Sequence, residues 1–220
     1  MIKKFNLFVL LLAVTLTACN NKPITEEEGF DYGTVKNNRY TNAFFDIQVA
    51  IPENWVVKTQ EQSKQLMKEG ADIVAGDNEK LKNAIKVSEV NSATLLTVFE
   101  HEDGVAKMFN PSFMLLAESL KKAPGITTGE QYLFQSRKML VAGQLDYDHI
   151  DEEFKKVRIN GWDFYAMNAT IAFEGVTVTQ TYLATTKDGF ALCFIYSYND
   201  DEQKASLEKV VQSIDYYKKK

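Results

Sequence analysis

The hydrophobic pattern from Glu153 to Asn199 predicts four antiparallel strands joined by three tight turns. The turns are Asn160-Gly161, Glu174-Gly175 and Asp188-Gly189. Each suits a two-residue hairpin loop because glycine adopts positive φ without steric cost. Two-residue loops also fix which residues face each other. The predicted partners are Phe173 with Val176, Ile171 with Val178, Met167 with Tyr182, Tyr182 with Ile195, Ala184 with Cys193, and Arg158 with Asp163.

Large apolar side chains fall on both faces of this predicted sheet, because strand side chains alternate between faces. One face carries Tyr165, Met167, Ile171, Tyr182, Ala184, Cys193 and Ile195; the other carries Trp162, Phe164, Leu183, Leu192, Phe194, Tyr196 and Tyr198. A sheet that is apolar on both faces needs cover on both. The sequence therefore predicts an α+β fold, an α/β/α sandwich with a central, mainly antiparallel sheet between two helical layers.

The second face also carries polar residues, which leaves two interpretations of its aromatic groups. Trp162, Tyr196 and Tyr198, beside Asn168 and Thr170, line either a pocket or a partner surface, or they form core beneath helices. We favour the core, because buried bulk is the commoner fate of aromatic side chains.

Outside the meander, residues 45–51 alternate as a half-buried strand does, and helical spacing dominates the middle of the chain. Helices are predicted at 59–69, 78–90, 110–122, 128–140 and after Asn199, with a strand at 93–99. The 110–122 helix is predicted from its ends, because Asn110-Pro111 suits a helix start and Pro124-Gly125 a stop. The 128–140 helix opens on the capping-box spacing of Thr128 and Gln131.

The first eighteen residues have the pattern of a bacterial lipoprotein signal peptide. Lys3 and Lys4 precede an apolar run, residues 5–16, that is too short for a membrane span and suits a signal-peptide core. The run ends in Leu16-Thr17-Ala18-Cys19, which resembles a lipobox with Cys19 as the lipidated residue. The alternative is an ordinary secretory signal with an incidental cysteine. Lipidation predicts an extracytoplasmic protein anchored to a bacterial membrane, either the outer face of the cell membrane or the outer membrane.

Behind the signal peptide, residues 19–38 are predicted to be a flexible tether and residues 39–217 a single domain. The tether holds Pro23, three consecutive glutamates and two glycines, a composition typical of disorder. Its apolar residues Phe30, Tyr32 and Val35 offer a way to dock part of it on the domain.

Charge narrows the possible partners. Loss of residues 1–18 removes two of the 25 basic residues and leaves 30 acidic ones, so the mature chain has a formal charge of −7. Phosphate binding requires a basic surface, so nucleic acid is not expected as a partner. No cofactor-binding motif occurs in the sequence, and no cofactor is expected.

The segment from Asn42 to Trp55 contains a strand, the turn Pro52-Glu53-Asn54-Trp55 and the start of a second strand. It resembles the opening of PsbP/Mog1-like domains, including bacterial lipoproteins of that kind. The C-terminal hairpin at Asp188-Gly189 and the closing helix are similar as well, so the resemblance covers about residues 40–216 as architecture. It implies an antiparallel α/β/α sandwich and a role in protein interaction or assembly. Residues 59–150 depart from the compact family members in being richer in helix.

An acidic run near residue 150 is the candidate ligand site. Asp146, Asp148, His149 and Asp151 carry groups that bind hard cations such as Ca²⁺. The run lacks EF-hand spacing, since Ile150 occupies an alternate position and no glycine makes the sharp bend. A solvated loop before the first meander strand is the favoured interpretation, because charge runs are usually exposed.

The sequence contains no complete catalytic motif among those considered. Two Ser-x-x-Lys matches, at Ser119 and Ser206, come without the Ser-Asp-Asn and Lys-Thr-Gly motifs that accompany them in penicillin-recognising enzymes. We therefore expect a non-enzymatic module that binds a protein partner at the membrane. The alternative is a lipoprotein that binds a small ligand or metal, with hydrolytic activity as one version. An exposed aromatic patch favours the first function, and a cleft holding acids and a histidine favours the second.

Overall fold

Two antiparallel sheets that share one core, with four α-helices, make up the part of the chain that this computed structural model describes, residues 23–105, 109–173 and 175–217. In chain order the strands are β1 (Thr34–Lys36), β2 (Arg39–Asn42), β3 (Ile47–Ala50), β4 (Val56–Val57), β5 (Ser92–Phe99), β6 (Ser112–Ser119), β7 (His149–Ile150), β8 (Lys155–Ile159), β9 (Trp162–Phe173), β10 (Val176–Lys187), β11 (Phe190–Tyr198) and β12 (Asp215–Tyr216). The helices are α1 (Gln60–Ala75), α2 (Glu79–Asn91), α3 (Gly129–Ala142) and α4 (Asp201–Gln212). The predicted signal peptide and Cys19 lie outside the described residues.

The large sheet runs in the order β4-β5-β6-β11-β10-β9, with β7 and β8 both on the outer edge of β9. The small sheet runs β1-β2-β3-β12, so its last strand comes from the C-terminus. Each strand pair in the described residues is antiparallel. The α+β class and the mainly antiparallel central sheet are therefore confirmed.

The register of the meander is confirmed residue by residue. All six predicted pairs occur across β8, β9, β10 and β11. At Asn160-Gly161 and Asp188-Gly189 both turn residues have positive φ, between 46° and 89°. Turns of that kind match the twist of the flanking strands, so the turn residues alone set the pairing.

Both faces of the large sheet are covered, but the second layer differs from the prediction. Met167, Tyr182 and Cys193 pack with Leu133 of α3 on one face. On the other face, Phe164 and Phe194 pack against residues of the small sheet and α4. One of the two predicted helical layers is therefore a four-stranded sheet with a single helix.

The predicted 110–122 helix is wrong, because this segment forms β6 in the middle of the large sheet. Phe113, Leu115 and Ala117 are fully buried on one face, and the residues between them face the helices. A strand that is covered on both faces has a nearly continuous apolar run, which periodicity does not distinguish from a buried helix. Asn110 does not cap a helix. Its side chain bonds the backbone N–H and carbonyl of His101 at 3.0 and 2.8 Å.

The predicted tether is also wrong from residue 23 onward, because the chain folds onto the domain there. A short 3₁₀ turn, Ile24–Glu26, buries Ile24 to 1% exposure in the main core. Phe30 meets Phe44 and Phe45 edge to face, so its suggested docking is confirmed. Apolar burial and strand pairing between β1 and β2 outweigh the polar composition.

The other predicted helices are confirmed with adjusted ends. α1 passes through the exposed Gly70 and ends at Gly76, whose φ is +48°. α2 begins at its Asn78 cap. α3 starts at the predicted capping box, and its apolar face lies against the large sheet.

Candidate protein-interaction groove

An open groove of about 1080 Å³ runs beside the first half of α3. Its other walls are the loop that links β6 to α3 and the segment between β7 and β8. Three apolar side chains and three carboxylates mark it: Ile126, Phe134, Phe154, Glu130, Glu152 and Glu153. We call this the α3 groove.

The capping box fixes the helical wall of the groove. The Thr128 hydroxyl accepts from the N–H of Gln131 at 3.2 Å, and the Gln131 side chain accepts from the N–H of Thr128 at 3.2 Å and of Thr127 at 2.7 Å. Gly129 lies against the sheet so closely that a Cβ there would stand 2.1 Å from the Ala184 carbonyl oxygen. The start of α3 is therefore held both by its own side chains and by contact with β10.

Phe134 is the exposed aromatic group of the groove. Its neighbour Leu133 is fully buried, whereas Phe134 is 49% exposed. One face of the ring is covered by Lys138, whose Nζ lies 4.3 Å from the ring centroid. Burying a fully exposed phenylalanine side chain stabilises a complex by roughly 1.5–3 kcal/mol. Because Phe134 is half-exposed, a partner that covers it would gain a large part of this free energy.

Arg137 ties the opposite wall to α3. Its Nε donates to the backbone carbonyl of Asp151 at 3.0 Å, and its Nη2 to the Glu152 carboxylate at 3.2 Å. Asp151 also bonds to β9, because its Oδ2 accepts hydrogen bonds from the backbone and side-chain amides of Asn168 at 2.8 and 2.9 Å. These contacts join the segment between β7 and β8 to α3 on one side and to β9 on the other.

The rim of the groove is acidic. Glu130, Glu152 and Glu153 carry its carboxylates, and Arg137 neutralises part of the charge on Glu152. Within the described residues, neither Glu130 nor Glu153 has an ion-pair partner. A groove with apolar walls and an acidic rim is complementary to a segment that carries both apolar and basic side chains.

The candidate cation ligands of the acidic run are not gathered into one site. His149 Nε2 lies 3.0 Å from Asp151 Oδ1, and the other oxygen of Asp151 serves Asn168. Within the described ranges, no three His, Cys, Asp or Glu side chains are placed to hold a metal ion. The run is also not simply a loop, because His149 and Ile150 form β7 on the edge of β9.

The aromatic residues of the second sheet face belong to the core, as favoured. Trp162 and Tyr196 are 6% and 8% exposed, and Tyr198 packs against the same cluster. Asn168 accepts a 2.8 Å hydrogen bond from the Thr181 hydroxyl. None of these residues lines the α3 groove, but Trp162 also lines a second cavity, of about 420 Å³.

A partly buried polar cluster lies beneath α2 and α3 rather than in the groove. Half-buried Glu118 of β6 accepts hydrogen bonds from Tyr132 Oη at 3.0 Å and from Ser88 Oγ at 3.1 Å. Burial raises the pKa of Glu118, and the two hydrogen bonds oppose that rise. Burial also raises the pKa of the nearby Cys193 thiol to about 12, which leaves it protonated and unreactive.

Sequence analysis did not select the groove residues. Phe134 falls outside the apolar stripe of α3, and a large apolar residue on the outer side of an amphipathic helix was the available signal. Glu118 was missed for another reason, because it was placed on a helix that is a strand.

No protein-family model matches the sequence, and no curated protein matches it. Among solved structures, cyanobacterial PsbP (CyanoP) of Synechocystis sp. PCC 6803 is 15% identical over 86% of this chain and 99% of its own, with a TM-score of 0.47. LpqN of Mycobacterium tuberculosis, involved in cell envelope biogenesis, is 10% identical over 76% of this chain and 79% of its own, with a TM-score of 0.40. A protein of Bacteroides thetaiotaomicron VPI-5482 is 11% identical over 84% of this chain, with a TM-score of 0.45, and this chain spans half (50%) of its length. At such low identities, membership of the PsbP/Mog1-like family stays a prediction.

The helices of the described ranges are too short or too polar to cross a membrane.

Proposed function

We propose that the protein is a lipid-anchored, non-catalytic module of the bacterial cell envelope that binds a partner protein through the α3 groove. The observation that carries the proposal is Phe134, which is 49% exposed on the wall of an open groove. Exposed aromatic groups in preformed concave sites are typical binding anchors.

The groove favours a partner of defined chemistry. Ile126, Phe134 and Phe154 offer apolar contact, and Glu130 and Glu153 offer charges that are not neutralised by a described neighbour. The occupant is therefore an exposed segment with an apolar anchor flanked by lysine or arginine. Because the charges lie on the rim, they favour fast and specific association more than high affinity.

The anchor rests on the lipobox pattern around Cys19. Mass spectrometry of the purified full-length product tests it directly. The expected product starts at Cys19 and carries a diacylglyceryl group, and the Cys19→Ala variant lacks that group. An uncleaved or unmodified Cys19 in the native chain contradicts the anchor.

Site-specific crosslinking in intact cells tests the groove. A photoreactive phenylalanine analogue at Gln135, an exposed groove residue, is expected to give one dominant protein adduct. The matched control places the same group at Asn83, an exposed position on α2. Phe134→Ser should abolish the Gln135 adduct, because it removes the apolar anchor. Equal adducts from both positions, or none from Gln135, contradict the proposal.

A further inference from the structure

The connection between the proposed lipid anchor and the folded domain is short. Ile24 is 1% exposed in the main core, and it follows Cys19 by five residues. An extended chain spans at most about 3.3–3.6 Å per residue, so Ile24 lies within roughly 18 Å of the lipidated residue. A flexible tether over 19–38 would have allowed several times that reach.

Several contacts hold this first segment in place. Within the 3₁₀ turn, the N–H of Glu27 donates to the Ile24 carbonyl at 3.1 Å. The Glu27 carboxylate accepts from Lys121 Nζ, with both oxygens at 2.7 Å. The Glu27 side chain is 21% exposed, so this ion pair is shielded more than a fully exposed one. The point at which the anchor leaves the domain is therefore set by packing as well as by charge.

The ion pair between Lys121 and Glu27 also brings the loop before α3 next to the N-terminal turn. Lys121 lies near the start of the loop of residues 120–126, which leads into α3 and supplies Ala123 and Ile126 to the α3 groove. The turn at 23–28 and this loop form one edge of the molecule, here called the anchored edge. The anchored edge carries three glutamates, Glu26 to Glu28, as well as Lys121 and Lys122. Its charges of opposite sign give no strong attraction to anionic lipid.

We infer that the anchored edge faces the bilayer surface at close range, held there by the length and docking of the chain rather than by charge. This inference rests on the proposed lipidation of Cys19. It deepens the proposed function, because a domain held in one orientation presents the loop wall of the α3 groove at the membrane surface. A partner segment that binds there lies next to the bilayer.

Energy transfer to a labelled lipid headgroup tests this orientation on the full-length lipidated protein in phosphatidylcholine vesicles. One dye is attached at Lys122→Cys on the anchored edge. In a separate sample the dye is attached at Asn83→Cys on α2, which packs with α3 on the face of the large sheet opposite the core that holds Ile24. Cys193 does not compete for the label, because it is buried. Transfer is expected to be higher from position 122 than from position 83, and unchanged when anionic phosphatidylglycerol is added.

The matched control lengthens the connection. An insertion of about 20 Gly and Ser residues after Asn21 adds a flexible span of roughly 25 Å. The difference between positions 122 and 83 should then be lost, while the domain keeps its fold. Equal transfer from both positions without the insertion overturns the inference, and so does a difference that appears only with anionic lipid.

Two failures are distinguishable. If mass spectrometry finds no lipid on Cys19, the proposed anchor falls and the inference falls with it. If Cys19 is lipidated and the two positions give equal transfer, the anchor stands and the orientation is wrong.

Discussion

Tyr132 of α3 donates a 3.0 Å hydrogen bond to Oε2 of Glu118, and through it the helical layer is joined to the centre of the large sheet. The second oxygen of the same carboxylate accepts from Ser88 of α2. One side chain therefore links β6 to both α2 and α3. A polar link of this kind is sensitive to the charge of the carboxyl group.

Glu118→Gln should flatten the pH dependence of stability. The pKa of Glu118 is raised above its usual value of 4.5, chiefly by burial. The folded state thus binds this proton more tightly than the unfolded state. The stability that the protonated group contributes is complete below pH 4.5 and is lost as pH rises through the folded-state pKa.

Urea unfolding between pH 4 and pH 8 measures this effect. The free energy of unfolding of the native chain should decline more steeply above the usual glutamate pKa than that of Glu118→Gln, which carries no titrating group there. Identical slopes for the two proteins would show that the Glu118 proton is not linked to folding.

Tyr132→Phe should destabilise the fold by about 1–3 kcal/mol, because it leaves a half-buried carboxylate without one of its two donors. Urea unfolding at pH 7 gives the value. Tyr32→Phe is the control, since Tyr32 is 38% exposed and a surface change of this kind costs no more than about 0.5 kcal/mol. Equal losses in the two variants would contradict the assigned link.

Asn42→Ala should release the first residues of the domain. The Asn42 side chain is 1% exposed, donates to the Asp31 carbonyl at 2.9 Å and accepts from the N–H of Phe45 at 2.9 Å. Its loss leaves buried backbone groups unpaired, at a cost of about 1–3 kcal/mol each.

Hydrogen exchange distinguishes local release from general loss of stability. Amides of residues 24–33 should exchange faster in Asn42→Ala, whereas those of α3 should keep their protection. Asn83→Ala, at an exposed position of α2, serves as the control and should leave both regions unchanged. Uniform loss of protection over the whole chain would contradict the prediction.

Gly129→Ala should destabilise the protein by about 1–3 kcal/mol, because the added Cβ would stand 2.1 Å from a backbone oxygen that has little room to move. Gly125→Ala is the matched control, since a Cβ at Gly125 meets nothing within 4 Å. Thermal unfolding of both variants gives the comparison. If Gly125→Ala costs as much as Gly129→Ala, close packing is not the reason for the glycine.

Cys193 should resist thiol reagents in the folded protein. It is 2% exposed, and burial raises its pKa to about 12. In the full-length Cys19→Ala chain at pH 8, a disulfide reagent should leave Cys193 unmodified until urea unfolds the protein. Rapid modification without urea would contradict its burial.

The elements that sequence analysis predicted well are those whose structure is decided locally. The hairpin register follows from two-residue turns, and the start of α3 follows from Thr128 and Gln131. β6 was not predictable in this way, because cover on both faces of the sheet removes the alternation that marks a strand. Docking of residues 23–38 also depends on partners far along the chain, such as Lys121.

The α3 groove shows the same limit. Phe134 and Phe154 lie 20 positions apart in sequence, and only the packing of α3 on β9 and β10 brings their segments to one groove. A single exposed phenylalanine on a helix is common. Phe134 becomes a candidate binding residue only because the surrounding segments form a groove around it.

The small sheet joins the two ends of the domain, since β3 has β2 on one side and β12, at Asp215–Tyr216, on the other. Its third pairing, between β3 and β12, is therefore unavailable to a nascent chain until Asp215 and Tyr216 have been synthesised. A C-terminal truncation before Asp215 removes β12 entirely. A nascent chain that has stalled before this point has an unpaired edge on β3. The small sheet therefore cannot be completed before β12 has left the ribosome, even when every other element of the domain has already been synthesised.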